Sequence, residues 1–181
     1  MIDTAMRQCD GGETMEKPAT LDDLSKLTYD DLAALYGGGT VPSDFTALDN
    51  HPKGRMLAVR GIEKTPLKSV VSGLAKLGIF PWDGKSMAST GTTTGDGINR
   101  INLGPLKSNW FKFKTSVQKS IIDGQDTIVL DYEQPGNPAF IRKIHDEIRE
   151  VSPGLYMGPA MWKTGEGAAA TALWFALDTN Q

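Results

Sequence analysis

The sequence predicts an α+β fold that is mainly β: a small antiparallel β-barrel or strongly curved sheet with short flanking helices. Three observations predict it. Stretches rich in β-branched and aromatic residues succeed one another at 97–103, 110–120, 126–132, 154–162 and 171–178. Glycine turns separate several of them: Asp123-Gly124 and the stretch from Gly165 to Gly167 both suit hairpins. Short strands that mostly follow one another suggest a meander, which curls or closes into a barrel.

The elements follow in order. Residues 1–18 are polar, contain glycine and lack periodicity, so they read as a flexible tail before a single domain at 19–181. Thr20 precedes Leu21-Asp22-Asp23, and Thr28 precedes Tyr29-Asp30-Asp31; each is a helix start with acids in the first turn. Leu32, Leu35 and Tyr36 form an apolar stripe, and Gly37-Gly38-Gly39 ends the second helix. Both helices are expected on one end of the sheet. Residues 40–53 read as loop, and 54–61 as a strand with Leu57 and Val59 on one face. Pro66 with Leu67, Val70, Val71, Leu74 and Leu77 predicts a helix over 65–78, and the Gly/Thr-rich stretch 89–97 reads as turn.

The stretch from Asp126 to Trp162 is the most densely specified. It reads as strand, Pro135-Gly136 turn, amphipathic helix from Phe140 to Val151, Pro153-Gly154 turn, strand. On that helix Phe140, Ile141, Ile144, Ile148 and Val151 share one face, while Arg142, Asp146 and Arg149 share a flank.

Composition excludes several classes. At 181 residues the chain can bury a core, and no apolar run reaches the roughly 20 residues of a membrane helix. Membrane insertion is therefore not expected. The first twenty residues hold no apolar block of signal-peptide length, and Cys9 is alone, so a reducing, cytoplasmic setting is expected. A formal net charge of -3 argues against nucleic acid as a partner. Lys112 and Lys114 alternate with Phe111 and Phe113, as on a strand with one wet face.

Familiar motifs fail on inspection. Gly84-Lys85-Ser86 ends like a phosphate loop, but Ile79 stands where the motif needs glycine and no helical pattern follows. His51 and His145 are far apart and neither has a metal-ligand spacing, so no metal and no other cofactor is expected. Candidate acid–base residues are Tyr156, Asp131, Arg100 and His145. Tyr156 shares a strand face with the small residues Gly158 and Ala160, which leaves room beside it. Asp131 and Tyr132 point to opposite faces, and only one of two registers would bury Asp131, with Arg100 as its partner. His145 could act as a base from the flank of the helix. Candidate ligand-binding residues are the aromatic and Met side chains in or beside strands: Trp82, Phe113, Tyr132, Met157 and Trp174.

Tyr36-Gly37-Gly38-Gly39-Thr40, Trp82-Asp83-Gly84-Lys85, Asn99-Arg100-Ile101, Leu130-Asp131-Tyr132 and Gly154-Leu155-Tyr156-Met157-Gly158 together resemble stretches of uncharacterised lipocalin-like proteins, including the GXWXG type. The resemblance implies a calycin-like barrel around a hydrophobic small molecule. The leading expectation is thus a barrel that binds a small, largely apolar organic molecule. A second is a cofactor-independent lyase, isomerase or cyclase acting on such a molecule. A third is a structural or interaction module, homodimeric through an exposed strand edge.

Overall fold

Glycine turns set the path of the chain. The computed structural model describes residues 17–59, 82–165 and 167–181. Among the described residues, eight antiparallel strands close into a barrel in which each pairs with its sequence neighbours and the last with the first. They are β1 (Lys53–Val59), β2 (Trp82–Gly91), β3 (Thr94–Leu103), β4 (Leu106–Lys119), β5 (Asp126–Asp131), β6 (Ile144–Ser152), β7 (Leu155–Gly165) and β8 (Ala168–Asp178). Gly104, Gly124, Gly154 and Gly167 hold positive φ at four of the turns, where a side chain would strain the backbone.

Strand alternation divides the walls. Inside lie Met87, Phe113, Ile128, Leu130, Tyr132, Ile148, Tyr156, Phe175 and Leu177. A 3-10 turn, Phe45–Leu48, sends Phe45 and Leu48 into this core at the end that carries the β2–β3 turn, where the Phe45 amide bonds the Thr92 carbonyl. At the opposite end the inward apolar residues Trp82, Phe111, Ile144, Ala160 and Leu173 are only partly buried.

Helix α1 (Leu21–Leu24) is capped by Thr20, and α2 (Tyr29–Gly37) by a reciprocal Thr28–Asp31 box. The helices lie on the outer wall rather than on one end of the sheet. Leu21, Leu24, Leu32 and Tyr36 cover Val151, Leu155, Met157, Trp174 and Ala176. The cause is legible afterwards: β6, β7 and β8 carry apolar residues on both faces, and the outward set needs cover. No helix among the described residues is long and apolar enough to cross a membrane.

The helix expected from Phe140 to Val151 is not formed. Ile141–Lys143 is a single 3-10 turn, and Ile144–Ser152 is β6. The strand sends Ile144, Asp146 and Ile148 inward and Glu147, Arg149 and Val151 outward under α2. Both faces are buried, so the polar–apolar alternation that marks a strand is missing, and the isoleucines fall by accident at helical spacing. The expected turn at 89–97 also shrinks, to Thr92 and Thr93 between β2 and β3. Its glycines serve packing instead: a Cβ on Gly97 would strike the Phe113 ring. The expected helix at 65–78 and most of the expected tail lie outside the described residues.

Candidate functional site

The site begins with a bulge. Trp82 pairs with Ile101, Gly84 with Arg100 and Lys85 with Asn99, so Asp83 is an extra residue without a partner. Ile101 and Asn99, two apart on β3, share the inner face, and Trp82 and Lys85 opposite them therefore both point inward. Gly84 makes this possible with φ of +127°, and a Cβ there would collide with the Pro52 carbonyl oxygen. Arg100 staples the bulge from the wall. Its guanidinium donates to the carbonyls of Lys85 (2.9 Å), Asp83 (3.1 Å) and Pro52 (3.2 Å), and to the Asp83 carboxylate (3.2 Å). Gly84→Ala is expected to destabilise the protein by about 2 kcal/mol or more, read as a lowered urea midpoint.

Lys85 ends in a buried polar node. Its Nζ donates to Tyr132 OH at 2.6 Å, Asn99 Oδ1 at 2.9 Å and Asp146 Oδ2 at 3.3 Å. Tyr132 OH in turn donates to Asp146 Oδ2 at 2.9 Å, and Trp82 Nε1 to Asn99 Oδ1 at 3.2 Å. Around the ammonium stand Phe113, Phe175, Tyr132 and Trp82, with ring centroids 4.9 to 5.4 Å from Nζ. Asp146 reaches the node because it lies opposite Leu130 on β5, sharing that residue's inward face. One atom is left over. Asp146 Oδ1 is buried without a hydrogen-bond partner.

Burial dominates the electrostatics here. It pushes the Lys85 amine below its ordinary range, against the opposing pull of the Asp146 charge. It pushes the Asp146 carboxyl up, against the pull of Lys85 and the Tyr132 hydroxyl, and it raises the Tyr132 phenol well above its usual value. Both members of the pair are thereby driven toward their neutral forms.

The next residue supplies a control. Glu147 points to the outer wall, and every lone-pair direction of its carboxylate is used. Oε2 accepts from Tyr36 OH (2.7 Å) and Ser120 Oγ (2.6 Å), and Oε1 from the Ile121 amide (3.0 Å), with His145 Nε2 also 3.0 Å away. Burial raises this carboxyl, but the bonds from His145, Ser120, Tyr36 and Ile121 outweigh it and the net shift is downward. Glu147 is a satisfied structural anchor for α2. Asp146, with the opposite shift and a bare oxygen, is not.

The expected site residues divide between the walls. Trp82, Phe113 and Tyr132 face the interior beside Lys85, and Tyr156 lies deeper inside, with Glu150 paired opposite it on β6. Asp131 faces outward, 41% exposed, and its Oδ1 accepts the Glu133 amide. Arg100 braces the bulge, and His145 sits outside beside Glu147. Tyr156, Asp131, Arg100 and His145 therefore do not converge. Met157 and Trp174 lie under the helices, where Trp174 packs against Tyr29 and Tyr36. Lys85, Asn99 and Asp146 are not among the expected site residues; Asp146 reads from sequence as part of a helix flank, and Lys85 only as part of a failed phosphate loop. The signal for Lys85 was Gly84, a glycine inside a strand and hence a bulge that reverses alternation.

A groove of about 880 Å³ is lined in part by His51, Ser86, Lys112 and Lys114 and is also bordered by Met87 and Phe113 of the inner core. His51 Nδ1 lies 3.0 Å from Ser86 Oγ, but His51 and both lysines are exposed, unlike the buried Lys85. Among the described residues no three His, Cys, Asp or Glu side chains gather as a metal site.

No family model matches the chain, and no curated protein does. Among solved structures it is similar to a protein from Thermomonospora curvata, with a TM-score of 0.51 and 15% identity over 84% of this chain and 87% of that one. At that identity the likeness is one of fold alone.

Proposed function

We propose that this barrel binds a small, largely apolar organic molecule carrying one polar oxygen group, entering past the partly buried Trp82 and Phe111 and meeting the Lys85–Tyr132–Asp146–Asn99 node. The carrying observation is the bare, buried Asp146 Oδ1 in a node placed below a partly exposed apolar rim. A pocket of this kind uses apolar walls for affinity and a few convergent polar groups for orientation. Burying such a pair costs several kcal/mol of desolvation that a purely structural core would avoid. The resemblance to lipocalin-like sequences supports the same reading. Trp82 and Phe111 are the side chains that must yield to the ligand, since both are inward and only partly buried.

Native mass spectrometry of freshly purified protein, compared with its denatured mass, tests this. A retained organic molecule, or saturable quenching of tryptophan emission by octan-1-ol that is lost in Trp82→Phe, is the expected result. A clean apo mass together with no saturable octan-1-ol response would overturn the proposal.

A second reading, a cofactor-independent lyase or isomerase, draws on one observation: the Tyr132 hydroxyl bridges Lys85 and Asp146 as a proton relay would. Such an enzyme would exchange protons next to the carbonyl of an apolar ketone in D₂O, and Tyr132→Phe would slow that exchange by about a hundredfold. NMR of octan-2-one reports it.

A further inference from the structure

We infer that the ligand of this barrel is an apolar aldehyde or ketone, and that Lys85 captures it covalently as an imine. The inference rests on the binding reading above and names its ligand class. A lysine that serves only as a fixed cation is best held by a carboxylate whose every lone pair is used, as Glu147 is on the outer wall. Lys85 faces instead a carboxyl with one bare oxygen and a phenol 2.6 Å from Nζ. Those are the parts that imine formation requires: an amine nucleophile, a group that gives and takes protons beside it, and a hydroxyl to pass them. The four rings around Nζ would then shield the cationic product. Burial supports the chemistry by favouring the neutral amine and the protonated acid together.

The step balances without an oxidant or metal. The Lys85 amine attacks the carbonyl carbon, so an N–C bond forms and the C=O π bond opens onto oxygen. That oxygen takes a proton from the Asp146 carboxyl, directly or through Tyr132, and the nitrogen returns one to Asp146. The hydroxyl then takes this proton and leaves as water while the nitrogen lone pair closes C=N. The product is a protonated imine beside the Asp146 carboxylate, and one water is released.

The test uses the full chain with octanal and sodium cyanoborohydride at about pH 6, where a freely solvated lysine amine is almost wholly protonated. Peptide mapping should show an octyl group on Lys85 ahead of every other lysine side chain, since a lowered amine holds more of its neutral form at this pH. Lys85→Arg, verified as folded by circular dichroism, should lose that adduct. If octan-1-ol binds saturably but reduction leaves Lys85 unmodified in the wild-type chain, the imine is wrong and the binding reading stands. If neither octan-1-ol nor octanal binds, the binding reading fails and the imine with it.

Discussion

Truncating Asp146 to alanine is expected to lower the unfolding free energy by about 3–5 kcal/mol near neutral pH, because the buried Lys85 amine must then either hold its charge without a counter-ion or give up its proton. Lys85 would keep its bonds to Tyr132 and Asn99, but both are neutral and cannot offset the charge. The deficit should depend on pH in a defined direction. Burial already holds the Lys85 amine below its ordinary value while Asp146 pulls it up, so losing Asp146 lowers it further. The unfolded chain then binds a proton that the folded variant does not, over the range between the depressed value and the ordinary one. Stability of the variant therefore rises with pH through that window. Urea unfolding at about pH 6 and about pH 9 should show the larger deficit at the lower pH. An equal deficit at both would mean that the lysine charge is not its source. The double variant Lys85→Met/Asp146→Leu should recover most of the loss, because apolar residues often replace a buried pair at little or no cost. Recovery of stability without recovery of ligand binding would separate what the pair does for folding from what it does for function.

The same bulge that creates this node also hid it. Turn chemistry made part of the meander legible: Asp123-Gly124 and the glycines near 165 sit where hairpins turn, and the strands flanking them lie within a few residues of the expected ones, whereas Pro153-Gly154 reads as the end of a helix and closes β6 instead. Trp82, Phe113 and Tyr132 were legible as aromatics in or beside strands, but the register that turns Tyr132 rather than Asp131 inward was not, since either face of 126–132 fits alternation. Lys85 was not, because strict alternation from an inward Trp82 sends residue 85 to solvent, and only the unpaired Asp83 reverses that. Asp146 was obscured by a different cause. A strand buried on both faces has no wet side, so the charges on β6 looked like one flank of an amphipathic helix. Met157 and Trp174 were assigned to a ligand for the reverse reason: they are apolar residues on a strand, but α1 and α2 supply their cover from outside. Tertiary cover, which pattern cannot report, decided each of these.

Arg149 presents the second large effect, on the outer wall. Its side chain is fully buried and its guanidinium meets Asp123 through both nitrogens at 2.7 Å. It also donates to the carbonyls of Asp126 (2.9 Å), Tyr36 (3.1 Å) and Gln125 (3.3 Å) and stacks 4.2 Å from the Tyr36 ring centroid. One side chain thus ties the C-terminal turn of α2 to the β4–β5 hairpin. Arg149→Ala should cost about 3–5 kcal/mol, through the orphaned carbonyls as well as the lost ion pair. Arg149→Lys should restore only a minor part, since an ammonium cannot reproduce the planar fork. Acid sensitivity should change too. The hydrogen bonds from Arg149 depress the Asp123 carboxyl to about 2, against the opposing effect of burial. A depressed carboxyl adds stability above its unfolded value, near 3.9, and loses it as pH falls toward the folded one. The wild-type chain should therefore lose stability between about pH 4 and pH 2, and Arg149→Ala should lose less over that window because Asp123 returns toward its ordinary value. Hydrogen exchange locates the damage. Amides of Tyr29–Gly37 and of the 120–125 turn should open together in the variant while β7 and β8 stay protected. Opening spread evenly round the barrel would instead make Arg149 part of the global core, with no particular hold on the helix.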